Sequence, residues 1–383
     1  MRIGVNTLFL IPGEVGGSET YLMETLHAML ATPGEFRIVL FANAENRNLM
    51  YDRFGRDPRV EIRPLACRAE NRYARILSEQ FTLPRAVRAA GVNVLWSPGY
   101  TMPLRPAAPA VTSVLDLQYR THPEDLTWQA RLATDFLVTR SCRRSRIILT
   151  LSTFSRGEIE RLTGVPGTRV RVTPLAAHAG FGIPVDPATR ARRIAALTNR
   201  VNPYLLVVAN TYPHKNVHAA VEAFVRLQDR IRHDLVVVGK PRLGEPRLQS
   251  ALEGLRDSRR FIRLQGVSRE DLIALYQDAA ALVFPSRYEG FGLPVLEAMS
   301  AGVPVVTTRC GSIPEVGGDH AWYADPDSAE NLAGRVLEVL SLPGSERAHR
   351  LDAARAHAAT FTWDRTARLT LDALRDAANG NGA

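Results

Sequence analysis

Cysteine, lysine and long apolar runs are scarce in this chain, and each scarcity narrows what it can be. Only three cysteines, Cys67, Cys142 and Cys310, occur in 383 residues. They are far apart, odd in number and outside any CxxC or Cys/His cluster, which argues against a disulfide framework and a zinc site and fits a reducing cytoplasm. No apolar run approaches the length needed to span a bilayer. The apolar stretch Ile3 to Ile11 is broken by Gly4 and Asn6, with no small-residue cleavage site before Glu14, so it reads as a first strand and not as a secretory leader. Aromatic residues make up 7% and no nucleic-acid module is recognisable, so the net charge of +9 does not point to nucleic acid. Lysine is the rarest cation: of 48 basic residues only Lys215 and Lys240 are lysine.

What is present is an ordinary globular composition, 45% apolar and 23% charged, long enough for two cores. Short β-branched runs alternate with helical patterns, the signature of parallel sheets flanked by helices. Strands are expected near residues 2–8, 36–41, 59–63, 92–96, 109–114, 146–150 and 169–172, and again near 204–209, 234–238, 260–264, 281–284, 303–307 and 321–323. The stretch from Ala176 to Asn202, with proline, glycine and then an Arg/Ala helix, marks a boundary between a domain over 1–180 and one over 200–360. The fold class is therefore α/β: two Rossmann-like, doubly wound domains facing a cleft, with ligands at the carboxyl ends of the strands.

Chemistry concentrates in the second half. The segment from Phe284 to Pro304 places Glu289 on a loop and Glu297 in a helix starting near Gly292, with Gly290, Phe291, Gly292, Leu293 and Pro294 between them. Glycines let backbone amides approach a phosphate, a helix N-terminus adds positive potential, and a nearby carboxylate can grip sugar hydroxyls. The strand Tyr204 to Ala209 runs into Asn210, Thr211, Tyr212, Pro213, His214, Lys215 and Asn216; a compact ammonium there suits a departing diphosphate. After the first strand, Gly16 and Gly17 lead into a helix expected to be capped by Ser18, without the GxGxxG spacing of a dinucleotide site. Asp325 and Asp327 offer a DxD pair but precede a helix, where capping is the expected role, so no metal is expected.

The motif from Phe284 to Pro304 resembles the donor site of the retaining nucleotide-sugar glycosyltransferases of the family 4 group, the bacterial "group 1" enzymes with the two-domain GT-B fold. The resemblance implies that Glu289 lies near the donor sugar, that the amides of Gly290 and Phe291 to Leu293 hold the diphosphate, and that Glu297 binds the ribose. It implies that Lys215 and position 210 contact the diphosphate, that the Gly16–Gly17 loop lies against the donor, and that a helix over about 363–383 packs back on the first domain. It further implies retention of anomeric configuration, with no cofactor beyond the nucleotide-sugar co-substrate, and a saccharide or lipid-linked saccharide acceptor in surface-polysaccharide assembly, a GDP-mannose-type donor being favoured. Two positions depart from the pattern. Asn210 stands where an arginine is usual, and Leu115 where many relatives carry a histidine, leaving Asp116 as the acidic group on the acceptor side. These departures motivate an alternative, a catalytically silent nucleotide-sugar binder; a pyridoxal-dependent phosphorylase on Lys240 is a more distant one. Arginine clusters at Arg68, Arg72 and Arg75 and at Arg140, Arg143, Arg144 and Arg146 would suit an anionic membrane surface, so a cytoplasmic protein peripheral to the inner membrane face is the expectation.

Overall fold

The computed structural model describes residues 1–125 and 127–380. Its thirteen strands fall within two residues of the expected ends, because parallel strands covered on both faces appear in sequence as short, nearly continuous apolar runs. The chain divides into two compact units. Of the described residues, unit 1 comprises 1–121 and 127–175 together with the C-terminal helix Trp363–Asn379, and unit 2 comprises 122–125 and 176–362.

Unit 1 is built on a seven-stranded sheet of β1 (Arg2–Asn6), β2 (Arg37–Ala42), β3 (Val60–Pro64), β4 (Val94–Ser97), β5 (Ala110–Ser113), β6 (Ile147–Thr150) and β7 (Val170–Val172), in the order β3-β2-β1-β4-β5-β6-β7. All its pairs are parallel, for instance Val5 opposite Leu40 and Trp96 opposite Val111. Helix Trp363–Asn379 completes this unit: Thr366, Ala367, Thr370, Leu371, Leu374 and Ala377 are buried on one face. Two polar contacts hold that helix in place. Arg171 pairs with Asp376 at 2.6 Å, and Arg146 donates to the carbonyl of Ala377 at 2.9 Å.

Unit 2 carries β8 (Tyr204–Val208), β9 (Asp234–Val238), β10 (Phe261–Leu264), β11 (Ala281–Phe284), β12 (Val305–Thr308) and β13 (Trp322–Ala324), in the order β10-β9-β8-β11-β12-β13. Helices Val217–Leu227 and Ala329–Leu340 cover one face, burying Phe224, Leu227, Leu332 and Val336 against β8, β9 and β11. The helix Pro187–Thr198 belongs to this unit as well, tied to helix Arg269–Asp278 by Arg190–Asp278 at 3.0 Å and Arg193–Asp271 at 2.6 Å. In both sheets the order reverses beside the unit's first strand, between β1 and β4 and between β8 and β11. Loops leaving the carboxyl ends of such a strand pair diverge to opposite faces and open a crevice where ligands bind.

Candidate active site

The crevice of unit 2 is bordered by the loops that follow β8 and β11, and these carry Lys215 and Glu289. Lys215 ends a short 3₁₀ turn, Pro213–Lys215, and its Nζ lies 2.6 Å from Glu289 Oε1 and 5.9 Å from the ring centre of Phe284, the last residue of β11. Asn216 fixes this turn. It adopts the left-handed conformation, is fully buried, and donates through Nδ2 to the carbonyls of Pro285 at 3.1 Å and Pro326 at 2.9 Å. The carbonyl of His214 accepts from the amide of Arg287 at 2.7 Å, a second tie between the two loops. Burial, with Lys215 and His122 adding like charge, lowers the His214 imidazole to about 2, so this ring is neutral. It stacks on Tyr212, with centroids 5.7 Å apart, and serves as packing.

Glu289 is held through its backbone. Its carbonyl accepts from the amide of Ser312 at 3.2 Å and from the Ser312 hydroxyl at 3.0 Å. Gly311 permits this approach: its φ is +61°, and a Cβ there would stand 2.6 Å from the carbonyl oxygen of Glu289. Beyond Glu289 the chain turns at Gly292, whose φ of +97° only glycine adopts readily, and enters helix Leu293–Ala301. Leu293 opens this helix, and its first-turn amide, which has no intrahelical acceptor, stands at the positive end of the helix dipole four positions after Glu289.

Glu297 lies in the second turn of that helix. Its Oε2 accepts from the hydroxyl of Tyr276 at 2.9 Å, and Tyr276, fully buried, packs edge-on against Phe181 at 5.2 Å. Burial raises the Glu297 carboxyl to about 7, with the tyrosine hydrogen bond and Arg269 opposing the rise. Asn210 sits at the end of β8, where its Oδ1 accepts from the amide of Lys240 at 2.8 Å, bracing the loop after β8 against the loop after β9.

Unit 1 holds the remaining expected residues. Asp116 follows β5; its Oδ1 accepts from the hydroxyl of Tyr100 at 3.4 Å and the amide of Gln118 at 3.3 Å. Leu115 beside it is 5% exposed, part of the unit's apolar packing. Gly16, with φ +55°, is itself the residue before helix Gly17–Ala31. Ser18 is therefore inside the first turn and not its cap, because the left-handed glycine turns the chain directly into the helix. Glu19 reaches back to accept from the amide of Gly13 at 2.8 Å. A second expectation is corrected at Asp325 and Asp327, neither of which caps the following helix. Ser328, one step nearer, does so by accepting from the amide of Asn331, while Asp325 accepts from the amide of Asp327 and Asp327 pairs with Arg287. Tyr119, close to Asp116, lies in the short helix Gln118–Thr121, and its hydroxyl donates to Asp135 at 3.2 Å.

The structure thus pairs Lys215 with Glu289 beside the carboxyl ends of β8 and β11, sets Glu297 in the helix that follows, against Tyr276, and places Gly16, Gly17 and Asp116 in unit 1. Sequence reasoning missed Asn216, Ser312 and Tyr276 as supports. A tyrosine in the otherwise apolar run Ala274–Tyr276 is a visible oddity, but its partner, 21 positions onward, is not.

A family model for group 1 glycosyl transferases matches residues 191–357, and one for a glycosyl transferase 4-like domain matches residues 16–176. The chain is 34% identical over 270 residues to the O-antigen chain mannosyltransferase B of Escherichia coli, covering 70% of each. It is 30% identical over 234 residues to the serotype-specific mannosyltransferase WbdA of Escherichia coli, of which the match spans 28%. Among solved structures it resembles HepE of Anabaena in complex with UDP-glucose, with a TM-score of 0.76 over 98% of this chain and all of that one; at 17% identity this likeness speaks for the fold. With both halves matched in order and two Rossmann-like sheets in place, the chain belongs to the group 1 glycosyltransferases and is a glycosyltransferase of the GT-B fold.

Proposed function

We propose that the protein transfers a mannose-type hexose from a nucleotide-sugar, of the GDP-linked class, to a saccharide or lipid-linked saccharide acceptor in surface-polysaccharide assembly, with retention of configuration. The observation that carries this reading is the 2.6 Å contact between Lys215 and Glu289 at the strand-order switch of unit 2, next to a helix N-terminus. In this scheme the amides of Gly290–Leu293 and Lys215 hold the diphosphate, Glu289 engages the sugar hydroxyls, and Glu297 the ribose. As the bond between the anomeric carbon and the phosphate oxygen breaks, an acceptor hydroxyl oxygen forms the new bond on the same face and its proton passes to the departing phosphate. The protein supplies position and electrostatic stabilisation, with no metal and no resident cofactor. Asp116 and the Gly16–Gly17 turn of unit 1 are assigned to the acceptor side and the donor diphosphate respectively. The mannose-type donor rests on similarity to mannosyltransferases.

A second reading, a donor-binding protein without turnover, is favoured by Leu115, whose buried side chain supplies no hydrogen bond where many relatives have an imidazole. Both are tested by nucleotide release from GDP-, UDP-, dTDP- and ADP-sugars with and without lipid-extract acceptor, with Glu289→Gln as control. Acceptor-dependent release from a GDP-sugar that the control abolishes is the expected result. Release from a different nucleotide-sugar replaces the donor assignment, and binding without release selects the second reading.

A further inference from the structure

Where the strand order of unit 1 reverses, between β1 and β4, the fold buries a carboxylate that no step of the transfer uses. Glu79 is 3% exposed and lies on the π-helical turn Ser78–Thr82, a rare backbone form that recurs at functional sites. Its Oε2 accepts from the hydroxyl of Thr101 at 3.1 Å and from Nδ2 of Asn6, the last residue of β1, at 3.5 Å. Its Oε1 accepts from the side-chain amide of Gln80 at 3.4 Å. These donors are all neutral. Burial raises the carboxyl above its ordinary value, with Arg75 and the hydrogen bonds from Thr101 and Asn6 opposing the rise. A carboxylate withdrawn from water and met by neutral donors is a costly way to fill space, so its place in the fold is better explained by what it grips.

What it grips is the loop that leaves β4. Gln80 binds the same loop twice, donating to the carbonyl of Met102 at 3.2 Å and accepting from the amide of Leu104 at 2.8 Å. Between β4 and these anchors the amide of Thr101 donates to the carbonyl of Gly99 at 2.8 Å, closing a three-residue turn with Tyr100 at its centre and at φ +69°. A turn of this kind is strained, and a bulky residue takes a left-handed backbone only where its neighbours impose it, most often at a ligand clamp. The Tyr100 amide donates to the carbonyl of Ser113, the last residue of β5, at 3.1 Å, and its hydroxyl donates to Asp116 Oδ1 at 3.4 Å. Both side chains are half-buried, with part of each open to solvent. A carboxylate can accept from one sugar hydroxyl while the phenol exchanges a hydrogen bond with its neighbour, and the ring offers an apolar surface to the sugar carbons.

We propose that Tyr100 and Asp116 form the clamp that takes two hydroxyls of the saccharide acceptor, and that Glu79 is the positioning residue that holds Tyr100 in it by gripping Thr101. This deepens the transferase reading and rests on it, since it presumes an acceptor saccharide beside Asp116.

The test is nucleotide release from the donor that wild type turns over, titrated against the lipid extract as acceptor, with calorimetric donor binding alongside. Tyr100→Phe removes the clamp hydroxyl, Thr101→Val breaks the contact to Glu79 without a new side chain at the buried site, and Thr101→Ser restores the hydroxyl. Tyr100→Phe and Thr101→Val should each raise the half-saturating acceptor concentration about tenfold with donor affinity unchanged, and Thr101→Ser should titrate as wild type does. A role in folding alone would instead lower the maximal rate with the folded fraction and leave half-saturation unmoved, which overturns the proposal. So does a Tyr100→Phe or Thr101→Val variant that titrates as wild type, a Thr101→Ser variant as impaired as Thr101→Val, or an equal loss of donor affinity. Wild type without acceptor-dependent release overturns the transferase reading first and this proposal with it, a result seen before any variant is made.

Discussion

At the scale of single residues, Lys215 and Glu289 meet with side chains only 23% and 9% exposed, so each is poorly hydrated and depends on the other until a ligand arrives. If Lys215 neutralises the departing diphosphate, Lys215→Ala should lower turnover by roughly 10²–10³-fold while donor affinity changes by less than about tenfold. Steady-state rates together with calorimetric donor binding separate the two, and equal losses would reduce the lysine to a binding group. Glu297 yields a pH prediction. Its carboxyl is raised to about 7 by burial, above the ordinary value of about 4.3, so between these limits the native state holds a proton that the unfolded chain releases. This group's contribution to stability therefore falls as pH rises through that window and is constant above it. Ribose hydroxyls donate best to the ionised carboxylate, so donor affinity should rise as pH passes through about 7, and the rise should vanish in Glu297→Gln. Tyr276→Phe, which removes the hydroxyl at 2.9 Å, should weaken binding of the intact nucleotide more than that of its 2′,3′-dideoxy analogue.

At the scale of elements, the loop carrying Glu289 is shaped by its neighbours as much as by its own glycines. Gly311→Ala would force a Cβ to within 2.6 Å of the Glu289 carbonyl and demand a left-handed alanine, at a cost of about 1–3 kcal/mol. The expected outcome is a lower melting temperature together with weakened donor binding, whereas unchanged binding would show that the loop relaxes without consequence. Strands were legible in the sequence because both faces of each parallel sheet are covered, so burial writes itself as runs such as Leu205–Val207 and Leu235–Val237. Helix caps were less legible. Ser18 and the two aspartates at 325 and 327 have the right side chains one or more positions from where the chain turns, and backbone dihedrals at Gly16 and Ser328 decide which residue caps. The donor-loop glycines and the helix start near Gly292 were legible for the converse reason, since no other residue type readily takes φ of +97°.

At the scale of the whole molecule, the C-terminal helix Trp363–Asn379 belongs to unit 1 although some 190 residues separate it from the preceding part of that unit. Leu371 and Leu374 are 1% and 0% exposed, so replacing either by alanine should cost about 2–5 kcal/mol, read as a lower melting transition for unit 1 and a smaller shift for unit 2. A chain ended after Thr362 should leave unit 1 with an open apolar face and precipitate on expression. The sequence by itself determined the alternation of strand and helix, the two-sheet α/β class and the residue types of the donor motif, because these follow from local periodicity and from backbone conformations that few residues tolerate. Only the tertiary structure decided that Asn216 locks the Lys215 turn and that Tyr276 and Ser312 hold the two glutamates. Each of those contacts joins residues that are remote in the chain, and contact between remote residues is a property of the packed fold, which no local pattern encodes.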